Sequence, residues 1–305
     1  MSVNNRITVV VVSDNHYMVM LAALIKSIEL THKKNIPIDF YIVSDRINNK
    51  NKQRLYKSID PKITSLYWIN MSEVLSLSDS PPLDHSSFPL NIYARLFIPH
   101  FIPPHIKNVL YIDVDMIFQK DISSLWETDL QDKIIAAVID KSEIIGNEWA
   151  GISNYKELGL SPKSKYFNSG LLLIDAIKWR NAGITNEIIH CIKKNIQYVD
   201  FPDQYGLNVI FANKWFELAP LWNVQSVIEK KNPYIIHFTG TKPIYSSYNN
   251  NVEYKELFYK YLRQTEWKNF TPLSEYMRFL KRLYNKFDKQ VWFLKKKFSF
   301  KNDRY

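Results

Sequence analysis

Cysteine is nearly absent: Cys191 is the one example in 305 residues. That excludes an internal disulfide framework and a cysteine-based zinc site, and a lone thiol fits a reducing cytoplasm. Glycine is scarce as well, with seven in the chain, and nowhere do they form a phosphate-cradling loop. Any phosphate held here must rest on metal and side chains. No apolar run approaches the roughly 18 residues that a membrane span needs. The run nearest the N-terminus covers residues 7–12 with little positive charge before it, which is no secretory signal. Internal repeats and low-complexity segments are missing too.

What remains is an ordinary globular composition, 46% hydrophobic and 23% charged, enough for one large domain with an appendage. The formal charge of +10 is uneven. Residues 277–305 hold ten basic and two acidic side chains, a net +8 that leaves +2 for the rest. The basic character belongs to the tail and not to the body.

Short β-branched runs at residues 7–12, 38–43, 63–69 and 108–113 read as buried strands. Helical spacing of Leu21, Leu24, Ile25 and Ile28 predicts a helix over 17–30, and further helices are expected over 51–58 and 91–101. Residues 76–89 read as a loop. Downstream, 134–138, 170–174 and 234–238 read as strands and 184–195 and 203–212 as helices. Strands alternating with helices imply an α/β fold, a mostly parallel sheet covered on both faces. Ligands of such sheets sit at the carboxyl ends of the strands, where Asp14 and Asp113 fall.

Residues 109–115 read Val-Leu-Tyr-Ile-Asp-Val-Asp. On a strand, residues i and i+2 share a face, so Asp113 and Asp115 would repel unless a hard cation sat between them. Oxygen ligands suit Mg²⁺ or Mn²⁺, which leave positions open for substrate phosphates. Taken alone, the pair could equally be a solvated strand end.

The motifs stand in a fixed order. Ser13-Asp14-Asn15-His16-Tyr17 comes first, then Tyr93-Ala94-Arg95-Leu96 and Leu110-Tyr111-Ile112-Asp113-Val114-Asp115. Phe167-Asn168-Ser169-Gly170, Asp203-Gln204 and His237-Phe238-Thr239-Gly240 with Lys242-Pro243 follow. Over roughly residues 6–245 this set resembles glycosyltransferase family 8, retaining and metal-dependent transferases of UDP-sugars that include bacterial lipopolysaccharide galactosyl- and glucosyltransferases. The resemblance implies a GT-A type nucleotide-sugar-binding fold. It assigns Asp113, Asp115 and His237 to the metal, Asp14 and Tyr17 to the uracil, and Arg95 to the neighbourhood of the sugar nucleotide. Gly240 and Lys242 would grip the diphosphate. Asn168, Asp203 and Gln204 would surround the transferred sugar, and Asp140 would stand on the acceptor side. Here Tyr205 replaces the second acid of the family's frequent Asp-Gln-Asp, the Gly240–Lys242 segment is one residue short, and Ile244 stands where tryptophan is usual. His16 replaces a common asparagine near the nucleoside. Asp14 and Asp203 could also act simply as helix N-caps.

Tyr276, Phe279, Leu280, Leu283, Tyr284, Phe287, Val291 and Leu294 form a helical apolar stripe. Arg278, Lys281, Arg282, Lys286 and Lys289 take the other face, with Trp292 and Phe293 nearby. A basic amphipathic helix with aromatics reads as a membrane-surface element, though a helix packed on the body or a nucleic-acid contact would share the pattern. The expected organisation is therefore a catalytic domain over residues 1–270 and a basic amphipathic tail over 271–305. The expected activity is transfer of galactose or glucose from UDP-galactose or UDP-glucose, with Mn²⁺ or Mg²⁺, to a lipopolysaccharide or other surface glycan. The protein would work in the cytoplasm, peripheral on the inner face of the cell membrane, with no nucleic-acid partner. A protein acceptor such as an adhesin, and a sugar-nucleotide-binding protein without turnover, stay open as alternatives.

Overall fold

The computed structural model describes residues 6–77, 82, 84, 86 and 88–302, with side chains up to residue 295. Strands β1 (Ile7–Asp14), β2 (Ile38–Asp45) and β3 (Thr64–Asn70) alternate with α1 (Met18–Thr31) and α2 (Asn49–Ser58). After α3 (Met71–Ser76), a 3₁₀ run over Leu90–Phe97 and a short α4 (Ile98–Phe101) lead into β4 (Asn108–Ile112) and β5 (Met116–Phe118). Then come α5 (Ser123–Trp126), β6 (Ile135–Ile144), β7 (Lys165–Asp175), α6 (Ala176–Asn181), α7 (Ile184–Lys194) and α8 (Pro202–Ile210). The chain closes with β8 (Phe216–Glu217), β9 (Val224–Gln225), β10 (Ile235–His237), α9 (Val252–Leu262) and α10 (Glu275–Asn302).

The main sheet runs β3-β2-β1-β4-β7-β6-β8, and a small one runs β5-β10-β9. Pairs β1–β2, β2–β3, β1–β4 and β6–β8 are parallel. Strand β7 runs antiparallel to both β4 and β6. Successive side chains drop into two cores: Val9, Val11, Leu110, Ile112, Leu171 and Leu173 into one, Val10, Val109, Tyr111, Leu172 and Ile174 into the other. Burial on both faces is why these strands read as unbroken apolar runs. Helices α1 and α9 cover the first face, and α3, α6, α7 and α8 cover the second.

Three expectations are corrected. The helix over 91–101 is largely 3₁₀, because Pro99 has no N–H to offer the Arg95 carbonyl, and that carbonyl accepts from Ile98 instead. Strand β4 ends at Ile112, so residues 113–115 form the turn into β5. It is this turn, and not strand alternation, that brings the two acids together. The N-cap role for Asp203 is not realised: Pro202 opens α8 behind an N-cap at Phe201, and the Asp203 carboxylate binds other side chains. Much of the loop expected over 76–89 lies outside the described residues.

Helix α10 lies on the body with its apolar face outward. Tyr276, Phe287 and Leu294 are 66%, 65% and 55% exposed. Its polar side carries the ion pairs, while Trp292 and Phe293 pack against the second core. Lys289 Nζ donates to Asp84 Oδ1 at 2.9 Å with both side chains buried, Lys281 Nζ to Asp14 Oδ2 at 2.5 Å, and Asp288 pairs with Arg46 at 2.6 Å. Burial pushes the Asp84 carboxyl up, but hydrogen bonds from Ser86, Lys289 and Tyr93 outweigh it and hold it below its ordinary value. Lys289→Met would strand that carboxylate, an effect of about 3 kcal/mol in urea unfolding at neutral pH. A carboxylate held low contributes above its unfolded pKa and loses that contribution as the pH falls through its native value. The gap between Lys289→Met and the parent chain should therefore close in acid.

Candidate active site

Asp113, Asp115 and His237 each offer an atom to one point, all within 4.8 Å of one another. The fold delivers them separately. The Asp113 amide donates to Gly170 O of β7 at 2.8 Å. Strand β10 lies antiparallel to β5 with His237 opposite Met116, and the Phe238 amide donates to Asp115 O at 2.8 Å. The outward oxygens are already engaged. Asp113 Oδ1 accepts from Arg95 Nη2 at 2.9 Å and from the Tyr111 hydroxyl at 2.5 Å, and Asp115 Oδ2 accepts from Lys242. The inner oxygens face the imidazole, with His237 Nε2 at 3.9 Å from Asp113 Oδ2 and 3.4 Å from Asp115 Oδ1. Asn223 Nδ2 donates to Asn168 Oδ1, so its own Oδ1 accepts from His237 Nδ1 at 2.9 Å. This bond places the proton on Nδ1 and leaves the Nε2 lone pair facing the acids, as metal-binding histidines require.

Two oxygens and one imidazole nitrogen suit Mn²⁺ or Mg²⁺, with positions left for substrate oxygens. Gly170 keeps the space open: a Cβ there would lie 2.7 Å from Asp113 Oδ2 and 2.7 Å from His237 Cε1. The two acids are pushed apart electrically. Burial raises the Asp113 carboxyl, with Asp115 adding to the rise and Arg95 opposing it. Burial also pushes Asp115 up, but Lys242 and His237 more than offset this, and it falls below the usual carboxylate range.

A cavity of about 570 Å³ opens over these groups, within the range of small-molecule sites. One wall is a closed polar network. Asn168 Nδ2 donates to Asp140 Oδ2 at 2.9 Å while its Oδ1 accepts from the Gly170 amide at 3.0 Å. Asp140 also accepts from the Ser142 amide at 3.0 Å and from Gln225 Nε2 at 3.1 Å. Gln204 Oε1 accepts from the Ser169 amide at 3.0 Å, so its carbonyl oxygen is tied to the wall. Asp203 Oδ2 accepts from Ser169 Oγ at 2.8 Å and from Arg95 Nη1 at 3.1 Å. The Arg95 guanidinium stacks over Tyr111 at 4.5 Å and stays charged although buried, because Asp113 and Asp203 more than offset its desolvation.

At the other end, Asp14 Oδ1 accepts from the His16 and Tyr17 amides at 2.9 and 3.0 Å, so the aspartate shapes the entry to α1 besides lining the cavity. Tyr17 and Tyr245 line the same end, and His16 Nε2 lies 2.8 Å from the Tyr245 hydroxyl. Gly240 takes φ +73°, a left-handed turn that glycine enters without strain. The turn folds Lys242 back onto Asp115 and the Phe238 carbonyl.

All twelve residues that the sequence nominated lie at this cavity. Tyr205 does not: it is buried in the second core, its hydroxyl donating to Asn154 at 2.9 Å, so the departure at that position leaves the pocket wall intact. Sequence reasoning missed Asn223, Gln225, Tyr245 and the α10 residues Arg278, Lys281 and Arg282. Asn223 carries no local signal, because its partners come from strands distant in the chain. For the α10 residues the sequence pattern favours a membrane-facing role over a helix packed on the body, and it points to no cavity.

The mostly parallel sheet, with the acid pair and histidine at its carboxyl edge, defines a glycosyltransferase of GT-A type. The model for glycosyl transferase family 8 matches residues 8–243, and the chain belongs to that family. General stress protein A of Bacillus subtilis is 28% identical over 84% of the chain and 92% of its own length. The lipopolysaccharide 1,2-glucosyltransferase of Escherichia coli is 26% identical over 85% of the chain and 78% of its own. The crystal structure of the galactosyltransferase LgtC in complex with donor and acceptor sugar analogs superposes with a TM-score of 0.72 at 21% identity, over 87% of this chain and all of that one.

Gly170→Ala places a methyl group between Asp113 and His237 without touching the hydrophobic core. It should leave the melting temperature within a few degrees of the parent and weaken Mn²⁺ binding, measured by calorimetry, by about tenfold or more.

Proposed function

We propose that the chain is a retaining hexosyltransferase that moves galactose or glucose from a UDP-sugar to a lipopolysaccharide or other surface-glycan acceptor. The observation that carries the reading is the division of labour at the acid pair: outer oxygens held by Arg95 and Lys242, inner oxygens turned toward His237 Nε2. Asp113, Asp115 and His237 would hold a divalent cation, which would supply positive charge to a departing diphosphate. Lys242 is a second cation at the same edge, and charge placed in advance where negative charge develops is the larger part of such catalysis. Asp14 and Tyr17 hold the nucleoside end. Asn168, Asp203 and Gln204 wall the hexose, and Asp140 stands behind Asn168 toward the acceptor side.

The carboxylates on this wall are already engaged by neighbouring groups. Both Asp140 oxygens accept hydrogen bonds, Asp203 is held by Ser169 and Arg95, and the Gln204 oxygen is spent on Ser169. This supports front-face substitution. The bond from the anomeric carbon to the diphosphate oxygen breaks while a bond to the acceptor hydroxyl oxygen forms on the same face. The hydroxyl proton passes to the departing diphosphate. Trp149, 69% exposed on the cavity rim with Lys141 Nζ 4.2 Å from its ring, offers a flat apolar face for an acceptor sugar.

The relatives that act on lipopolysaccharide and the outward apolar band of α10 favour an acceptor at a membrane surface. No helix among the described residues is long and apolar enough to cross a membrane. The band of Tyr276, Phe279, Leu283 and Phe287 is exposed, the tail carries +8, and each basic side chain near anionic lipid contributes about 1 kcal/mol.

Incubation with Mn²⁺ and labelled UDP-galactose or UDP-glucose should release UDP from at least one of them, slowly without acceptor, and EDTA should abolish the release. Release from neither donor would sink the reading. In a separate measurement, Leu283→Asp with Phe287→Asp should weaken sedimentation with phosphatidylglycerol vesicles roughly tenfold or more. UDP release should persist in that variant, since both residues face away from the cavity.

A further inference from the structure

Four residues of α10 line the donor cavity: Arg278, Lys281, Arg282 and Asn285. They line it together with Asp14, Tyr17, Tyr245 and Lys242. Among the described residues, the helix is fastened there by the Lys281–Asp14, Lys289–Asp84 and Arg46–Asp288 pairs, and Arg46 also donates to the Tyr284 hydroxyl at 2.8 Å. The first two pairs are buried and hold the helix in one register, because a lost partner would leave a charge uncompensated; the Arg46–Asp288 pair is more exposed. With α10 in place the cavity still measures about 570 Å³, so the helix is a wall of the chamber and not a plug in it.

The cations on this wall differ in what they already do. Lys281 is committed to Asp14 Oδ2; with the His16 and Tyr17 amides on Oδ1, it fixes both carboxylate oxygens. Arg278 donates to Glu275 at 2.9 Å and lies over the Tyr245 ring at 6.0 Å. Arg282 lines the cavity, and among the described residues no hydrogen bond or ion pair takes up its guanidinium. An arginine presented to a pocket in this way matches the planar, bidentate geometry of a phosphate.

We propose that α10 is part of the donor-binding site. Arg282 supplies a direct contact to the anionic diphosphate of the nucleotide, and Lys281 acts as a positioning residue that sets the Asp14 carboxylate at the nucleoside end. The inference rests on the nucleotide-sugar reading of the cavity and extends it to a helix beyond the matched family region, which ends at residue 243.

Calorimetric titration of the full chain with UDP and with uridine, both in Mn²⁺, tests it. Arg282→Ala should bind UDP about tenfold more weakly, leave uridine affinity unchanged, and regain part of the loss as Arg282→Lys. Lys286→Ala removes the same charge from an exposed residue of α10 that does not line the cavity, and should leave UDP affinity as it was. Unchanged or tighter UDP binding by Arg282→Ala, or an equal loss for uridine, would overturn the role of the helix. Failure of the parent chain to bind UDP at all would instead overturn the donor reading, so the two failures are distinguishable. Arg282 is exposed, and a melting temperature equal to the parent's would show that the substitution leaves the fold intact.

Discussion

Two carboxylates one residue apart, both withdrawn from water, repel each other and lose hydration. The chain answers by giving each acid a cation on its outer side: Arg95 for Asp113 and Lys242 for Asp115. The inner oxygens are then left to face His237 Nε2, on an imidazole whose Nδ1 donates to Asn223 Oδ1. Neither cation is an addition to a finished fold. Arg95 is buried with both terminal nitrogens engaged by Asp113, Asp203 and Ser169, and those partners come from three separate parts of the chain. Core and site are thus one electrostatic unit, in which a missing partner leaves an uncompensated charge in low dielectric.

The antiparallel strand β7 is the second requirement. A parallel strand beside β4 would bring its carboxyl end to the acid pair. Strand β7 instead brings the segment Asn168-Ser169-Gly170 there, with Ile112 opposite Leu171. That segment holds the Asp113 amide, frees the space a side chain would fill, and starts the hydrogen-bond chain through Asn168 to Asn223 and His237. The polar wall and the acid–histidine cluster are consequently oriented by the same few peptide units.

This explains what the sequence reveals and what it hides. Strands β1, β2 and β4 are legible because burial on both faces makes them continuous apolar runs. The first half of β7 is not, because Asn168 and Ser169 turn polar groups to the cavity and break the run, so the strand reads as starting at residue 170 when it starts at Lys165. The turn at 113–115 looks like strand because its spacing of two is also the strand period. The acid pair and the histidine are legible through their motifs. Asn223, which holds His237, and Gln225, which holds Asp140, are not, because they matter through contacts made in space and carry no periodicity. Tyr205 shows the converse: a residue conspicuous in the motif turns out to pack in the core.

Helix α10 is the clearest case of a pattern that fixes two faces without saying which one turns inward. Apolar faces ordinarily pack and polar faces ordinarily meet water. Here acids waiting on the body, Asp14 and Asp84, with Arg46 for Asp288, select the polar face, and the apolar band is left outside. An exposed band of this kind is costly in water and favourable against an apolar phase. The inversion therefore joins two tasks in one rod of 28 residues, about 42 Å long at 1.5 Å per residue. Its inner side walls the cavity, and its outer side carries the exposed apolar band. A helix that met lipid with its basic face would have to give up Asp14 and Asp84 to do so. With the apolar face outward both contacts persist together.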